Sequence, residues 1–273
     1  MTCRELLMRT RVGEVMQPCS IFVAPGDLVT RARSIMRASG LRTLFVVEDG
    51  KLSGIITARQ MLRVTSTRSN IPVAGLMFQP RLVATPDDPL SKILKDMLAL
   101  EISAVPVVKG VGDRTVLGMI RMEDVLARVV NSLAPGLKVK DVMTNKEDVV
   151  TCGPEDEVSK VWDLMEKVHH SGLPVVKYDK RKRAVEVIGM LTRSDIIRSG
   201  AIRLAEESDK GRFRSPPKVR ALMRTPAITV SPETPLVDAV RLLLEKGIGR
   251  LPVVKDGSLV GIVSRADVFK ACL

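Results

Sequence analysis

Two segments of the 273-residue chain carry groups whose spacing could do chemistry: Gly189 to Asp195, GMLTRSD, and Gly261 to Asp267, GIVSRAD. In each, a hydroxyl (Thr192, Ser264) stands three residues before a carboxylate (Asp195, Asp267), with Arg193 or Arg265 just after the hydroxyl. Ser/Thr-x-x-Asp ahead of an apolar residue opens a helix, because each side chain satisfies one of its orphan backbone N–H groups. Such a cap is worth about 1 kcal/mol and needs no ligand. A carboxylate held at a helix entrance can also accept charge-assisted hydrogen bonds from a bound molecule, which are stronger than neutral ones. Two partial versions occur. Arg121 to Asp124 keeps the carboxylate without the hydroxyl, and Thr57 to Gln60 keeps the hydroxyl without the carboxylate. No nucleophile–base set, metal cluster or glycine-rich phosphate loop accompanies them, so an enzyme is not expected.

The elements that must hold these groups recur four times. An apolar run such as Leu251-Pro252-Val253-Val254 is followed by Lys255-Asp256-Gly257 and a second apolar run, Leu259 to Val263. That pattern predicts a hairpin around an Asp-Gly turn. Neither run alternates, so both of its faces are expected to be buried. The other copies begin at Leu44, Val105 and Leu173. Ahead of each lies a Val/Leu-Met pair (Val15-Met16, Leu76-Met77, Val142-Met143, Leu222-Met223), then a short β-rich run and an amphipathic helix. In the fourth copy Thr234 is the expected N-cap and Pro235 the first helical residue. Leu236, Ala239, Val240, Leu243 and Leu244 form the apolar face, and Gly247 ends the helix. The corresponding faces are Leu90, Ile93, Leu94, Met97 and Leu98 in the second copy, and Val158, Val161, Trp162 and Met165 in the third. Each unit is therefore β-α-β-β-α, an α/β (α+β) arrangement of about sixty residues, too small to bury its faces alone. Units should pair.

Composition narrows the partners. The net charge is +12, with 18 Lys/Arg against 12 Asp/Glu in residues 1–136 and 25 against 19 in 137–273. A surplus spread over both halves favours an anionic partner. At 3% aromatic residues, base-stacking platforms for single-stranded nucleic acid are not expected. The Lys177–Arg183 run, KYDKRKR, reads as a solvated loop tip, with docking of an acidic partner or nucleic acid as its alternative. No run of eighteen uncharged apolar residues and no signal-like segment is visible, so no membrane association and a cytoplasmic location are expected. Cys3, Cys19, Cys152 and Cys272 form no Cys-x-x-Cys pair, and only His169 and His170 could join them, so no metal is expected. Reduced thiols are the expectation; the Arg-rich, amide-poor composition leaves an intracellular disulfide open.

Apolar-Pro-Val-Val, a turn, Gly-apolar-apolar-Ser/Thr-x-x-Asp and a helix together resemble the CBS domain. Four copies in register, from about Val12 to Ala271, look like two stand-alone Bateman modules, placed at 1–134 and 135–273. Their repeats run at about 12–68, 72–131, 138–199 and 218–273. The resemblance implies a non-catalytic regulatory module that binds AMP, ADP or ATP in clefts between paired repeats. S-adenosylmethionine or methylthioadenosine is the alternative ligand. It implies that the terminal carboxylates, Asp195 and Asp267 first and Asp124 next, grip the ribose diol beside Thr192 and Ser264. Phosphate would meet Arg250, Arg193 and Arg265, with His170, Arg42 and Arg121 as outer candidates. Adenine would lie near Ile228, Thr229, Pro252 and Val253, or near Val150, Thr151, Pro174 and Val175. The module would signal to a regulated protein, whose identity the sequence does not specify, and could pair as a homodimer. Competing readings are a nucleic-acid-binding protein, from the charge, and a ligand-free scaffold in which the carboxylates serve only as caps.

Overall fold

A computed structural model describes residues 1–62, 71–180, 184–199 and 217–273. The chain divides into two compact units, one of residues 7–125 and one of residues 1–6, 126–199 and 217–273. The helix Cys3–Arg9 (α1) precedes the repeats.

In the unit of residues 7–125, the first repeat runs through β1 (Phe22–Val23), α2 (Val29–Ser39), the hairpin β2 (Thr43–Glu48) and β3 (Lys51–Thr57), and α3 (Ala58–Leu62). The second has α4 (Leu90–Ala99), the hairpin β4 (Ala104–Val108) and β5 (Val116–Arg121), and α5 (Met122–Val129). In the other unit, the third repeat follows β6 (Thr144–Asn145) with α6 (Val158–Lys167), β7 (Gly172–Asp179), β8 (Ala184–Thr192) and α7 (Arg193–Ser199). The fourth has α8 (Leu236–Glu245), β9 (Arg250–Lys255), β10 (Ser258–Ser264) and α9 (Arg265–Cys272).

The first strand of each expected unit is shorter than read. It is two residues in the first repeat and a single parallel bridge elsewhere: Ala84 with Val107, Cys152 with Val175, Val230 with Val253. A second correction concerns the hairpins. The first strand of each is buried over its apolar run, apart from half-buried Val176 and Val254 at the run's end, but β3 and β10 alternate buried with half-buried residues, so one face of the second strand is only partly covered. The two-residue turns do form as read, with Asp49 and Gly50, and Asp256 and Gly257, in left-handed geometry (φ 48°, 75°, 50° and 77°).

The helix openings differ by one residue. α8 begins at Leu236 after Pro235, and Thr234 instead accepts the N–H of Ser231 through its hydroxyl. Asp27, Asp88 and Asp156 do the same for Ala24, Thr85 and Gly153. A short side-chain acceptor closes a tight turn three residues back, and the next residue, Leu28, Pro89, Glu157 or Pro235, is the N-cap of the helix. The predicted faces are otherwise buried, except that Leu98, Leu244 and Trp162 are half-exposed.

Pairing of repeats is reciprocal in both units. In the first, Val12 N–H donates to Asp88 O and Gly13 N–H to Pro86 O, while Val73 N–H donates to Asp27 O and Ala74 N–H to Pro25 O. In the second, Val139 and Lys140 bond to Thr234 and Pro232, while Val219 and Arg220 bond to Asp156 and Pro154. Each repeat thus opens on the helix entrance of its partner. A sub-bundle of apolar side chains, Phe45, Val47, Leu52 and Val108, seals the two hairpins of the first unit together. Within the second unit Cys3 and Cys272 are joined in a disulfide, with α-carbons 5.4 Å apart. Reduced thiols were the expectation; the closed Cys3–Cys272 bridge overturns it for this pair. Cys19 and Cys152 are free thiols, half-buried and buried.

Candidate functional site

The hairpin register decides which groups meet. Arg250 lies opposite Ser264 in the β9–β10 ladder, and Gly172 lies opposite Thr192 in β7–β8. The residue ahead of each apolar-Pro-Val-Val run is thereby set beside the capping hydroxyl, as the motif requires. Pro174 and Val175, and Pro252 and Val253, follow along the same strands and are buried, with Val175 and Val253 at 0% exposure. Their side chains belong to the repeat cores, so at a ligand they offer backbone. Ile228 and Thr229 are exposed, and Val150 and Thr151 are half-buried just ahead of the Cys152 bridge.

Each carboxylate uses one oxygen as a cap. Asp267 Oδ2 accepts the Ser264 N–H at 2.9 Å and the Ser264 hydroxyl at 2.7 Å. Asp195 Oδ2 accepts the Thr192 N–H at 3.0 Å and the Thr192 hydroxyl, and Asp124 Oδ2 accepts the Arg121 N–H at 2.9 Å. In the first repeat Gln60 receives the Thr57 N–H and hydroxyl. The reciprocal cap, in which the hydroxyl also accepts the N–H of the carboxylate residue, is seen at Thr192–Asp195 and Ser264–Asp267, while Arg121 has no hydroxyl to offer.

The second oxygen distinguishes the sites. Asp124 Oδ1 is taken by the Arg121 guanidinium at 2.8 Å, whose Nε also reaches Oδ2 at 3.0 Å. This fork raises the Arg121 pKa above its ordinary value, through the hydrogen bond to Asp124 against the opposing effect of burial. Asp195 Oδ1 accepts from Arg224 Nε at 2.8 Å. Asp267 Oδ1 faces Lys270 at 3.9 Å, the far edge of an ion pair with a largely exposed lysine. Sequence reasoning named Arg121 only as an outer candidate and missed Arg224 altogether.

The phosphate-side cations are likewise engaged. Arg250 crosses from the fourth repeat to donate to Gly172 O at 2.8 Å and Ser171 Oγ at 3.0 Å in the third. Arg193 donates to Met165 O, pairs with Glu166 at 3.0 Å and lies 5.6 Å over the Trp162 ring. Arg265 follows the Ser264 cap, its N–H on Gly249 O, and His170 is half-buried with its N–H on Met165 O. In the unit of residues 7–125, Arg42, Thr43, Ala104, Met119 and Arg121 line a small cavity of about 70 Å³ where the two hairpins start. A larger one, about 360 Å³, opens at the other end of the second hairpin, beside Thr85, Lys92, Asp96 and Arg114. Among the described residues no group of three or more His, Cys, Asp or Glu is placed to hold a metal, and no helix is long and apolar enough to cross a membrane.

The glycine of each motif has a packing reason. The segment after each Val/Leu-Met pair crosses the partner hairpin as a backbone bridge: Gln17 on Met119, Phe78 on Ile55, Thr144 on Ile262, Arg224 on Met190. A Cβ on Gly118, Gly261, Gly189 or Gly54 would lie 2.4, 2.6, 2.7 or 3.0 Å from the crossing carbonyl oxygen. In all four hairpins the register slips by one residue next to that glycine, between Val46/Val47, Val107/Val108, Val175/Val176 and Leu259/Gly261. The bulge and the missing side chain together admit the partner's chain.

Four β-hairpin–helix repeats, paired by reciprocal crossings beside their helix entrances, define a tandem-repeat protein of the mixed α/β class. A family model described as "CBS domain" matches residues 12–66, 73–131, 139–201 and 219–273, and the chain belongs to that family. It is 32% identical over 275 residues to an uncharacterized protein of Methanocaldococcus jannaschii, MJ1404, covering 97% of this chain and 62% of that one. A second uncharacterized protein of the same organism, MJ1232, is 30% identical over 140 residues, 51% of this chain and 40% of that one. The chain thus spans about half the length of these relatives. The crystal structure of MJ1225 from the same organism, described as an archaeal homolog of g-AMPK, superimposes with a TM-score of 0.82 at 21% identity, covering 96% of this chain and 99% of that one.

Proposed function

We propose that the chain is a non-catalytic sensor that binds an adenine nucleotide at the entrance of α9 and passes its occupancy to a regulated partner protein. What carries the reading is the fourth repeat. There Asp267 presents Oδ1 with only a distant lysine across from it, and the Ser264 that it caps lies opposite Arg250 in the β9–β10 ladder. A carboxylate accepts both protons of a ribose diol, and a guanidinium fork suits phosphate. Signalling requires that ligand bind two arrangements of the protein with different affinity. Calorimetry with AMP, ADP and ATP tests the reading. Micromolar binding that weakens by at least about tenfold in Asp267→Asn is the expected outcome, equivalent to about 1.4 kcal/mol. No saturable binding below the millimolar range overturns it.

One observation favours a phosphate-free ligand such as methylthioadenosine or S-adenosylmethionine. Arg193 and Arg250 already have protein partners that a phosphate would have to displace. Under that reading Arg250→Ala leaves ligand affinity unchanged. The nucleic-acid alternative rests on the net charge and on the basic stretches 177–183 and 210–220, of which 181–183 and 210–216 lie outside the described residues.

A further inference from the structure

The position just after each Val/Leu-Met pair holds four different residues: Gln17, Phe78, Thr144 and Arg224. Each crosses the hairpin whose helix entrance belongs to the partner repeat. Gln17 therefore stands over the Asp124 repeat, Phe78 over Gln60, Thr144 over Asp267 and Arg224 over Asp195. Only the last of the four is a cation, and its Nε donates to Asp195 Oδ1 at 2.8 Å. The carboxylate is 7% exposed while the arginine is 51% exposed. The partner is thus fixed and sheltered, and the guanidinium that covers it lies at the surface on a flexible stem.

We infer that Arg224 is a tethered plug of the third-repeat site, which admits a nucleoside only when the ligand brings a negative group to re-house the displaced guanidinium. This rests on the nucleotide reading above. Asp195 Oδ2 already accepts the Thr192 N–H and hydroxyl, so a ribose diol that seeks Oδ1 competes there with Arg224. Displacing Arg224 costs the charge-assisted bond. A phosphate in the site returns that bond; a neutral thioether cannot. The third repeat also lacks an arginine where the fourth has Arg250. Gly172 stands there, and a Cβ on it would already lie 3.0 Å from Thr192 Cγ2. Arg224 is then the cation the third site has in its place. The fourth site, crossed by neutral Thr144, carries no such plug, so the two sites of one pair should differ in ligand charge preference.

The test uses the full chain with Asp267→Asn, which silences the fourth site. AMP and 5′-methylthioadenosine are titrated into this protein and into versions carrying Arg224→Ala or Arg224→Lys. The expected result is a preference for AMP over methylthioadenosine that falls by about tenfold in Arg224→Ala, chiefly through tighter methylthioadenosine binding, and is largely kept in Arg224→Lys. Rescue by lysine separates a charge effect from loss of packing. If both probes bind, weaken in a further Asp195→Asn change, and keep the same ratio in all three proteins, the plug is refuted and the nucleotide reading stands. If neither probe binds saturably to any of them, or to the parent chain, both are refuted.

Discussion

Alanine at the four motif glycines should destabilise in the order of the measured approaches. A Cβ on Gly118 would sit 2.4 Å from Gln17 O, and contacts under 3.0 Å are essentially never tolerated, so the crossing chain must part by about 0.6 Å (from 2.4 to 3.0 Å). Gly54 starts at 3.0 Å from Phe78 O, beside a flexible Met77 side chain that can give. Overpacking of this kind costs about 1–3 kcal/mol. Stretching the Gln17–Met119 bridge forfeits about 1 kcal/mol more. Against this, replacing glycine by alanine removes about 0.4–1 kcal/mol of unfolded-state freedom. Gly118→Ala is therefore expected to lose about 2–3 kcal/mol, and Gly54→Ala to lie within about 1 kcal/mol of the parent. At roughly 3–5 °C per kcal/mol for units of this size, the first change lowers Tm by about 6–15 °C. In the other unit, Gly261→Ala (2.6 Å to Thr144 O, 2.9 Å to Met143 Sδ) should cost more than Gly189→Ala (2.7 and 3.1 Å). Calorimetric or urea unfolding of each variant without ligand checks this. Equal stabilities for Gly118→Ala and Gly54→Ala would refute the crossing explanation.

Two further outcomes follow from the cysteines. Closing residues 3 and 272, 269 positions apart, removes about 5 kcal/mol of unfolded-chain entropy at 25 °C on a loop-closure basis. Dithiothreitol, or Cys3→Ala with Cys272→Ala, should lower Tm markedly, and an unchanged melting curve would show that the pair is not closed. Burial first, and then the charge of Asp156, push the Cys152 thiol up to about 12. A raised folded pKa favours the protonated form. Its contribution is intact below about pH 9, the unfolded value, and is lost as pH climbs from there toward 12. A chromogenic disulfide reagent should leave Cys152 unmodified at pH 8 until the protein unfolds, and rapid native labelling would contradict the burial.

How far the chain could be read from its residues depended on how local the cause was. The hairpins, their Asp-Gly turns and the capped helices announce themselves because each is decided within about ten residues. Ser264 and Asp267 satisfy the same helix end whatever the rest of the chain does, and Arg250 falls beside them once the ladder register is known. The crossings are not local. Nothing near Gly189 says that Arg224 O must pass 2.7 Å from it, and the shared bulge shows no composition signature. Aligning the residue after each Val/Leu-Met pair would have exposed Arg224 as the sole cation there, but its target lies 29 residues back on another repeat. Thr234 misled for a related reason: a hydroxyl near a helix start serves a preceding turn as well as a cap. The disulfide joins positions 269 residues apart, a separation that no local pattern announces.

The sulfur bridge also changes how the polypeptide carries load. With residues 3 and 272 covalently tied, tension applied through those two points runs across one bond and leaves every hairpin and helix between them slack. Scission of the backbone at a surface position such as Gly136 would open a new gap without shedding a fragment, because both halves stay fastened through sulfur.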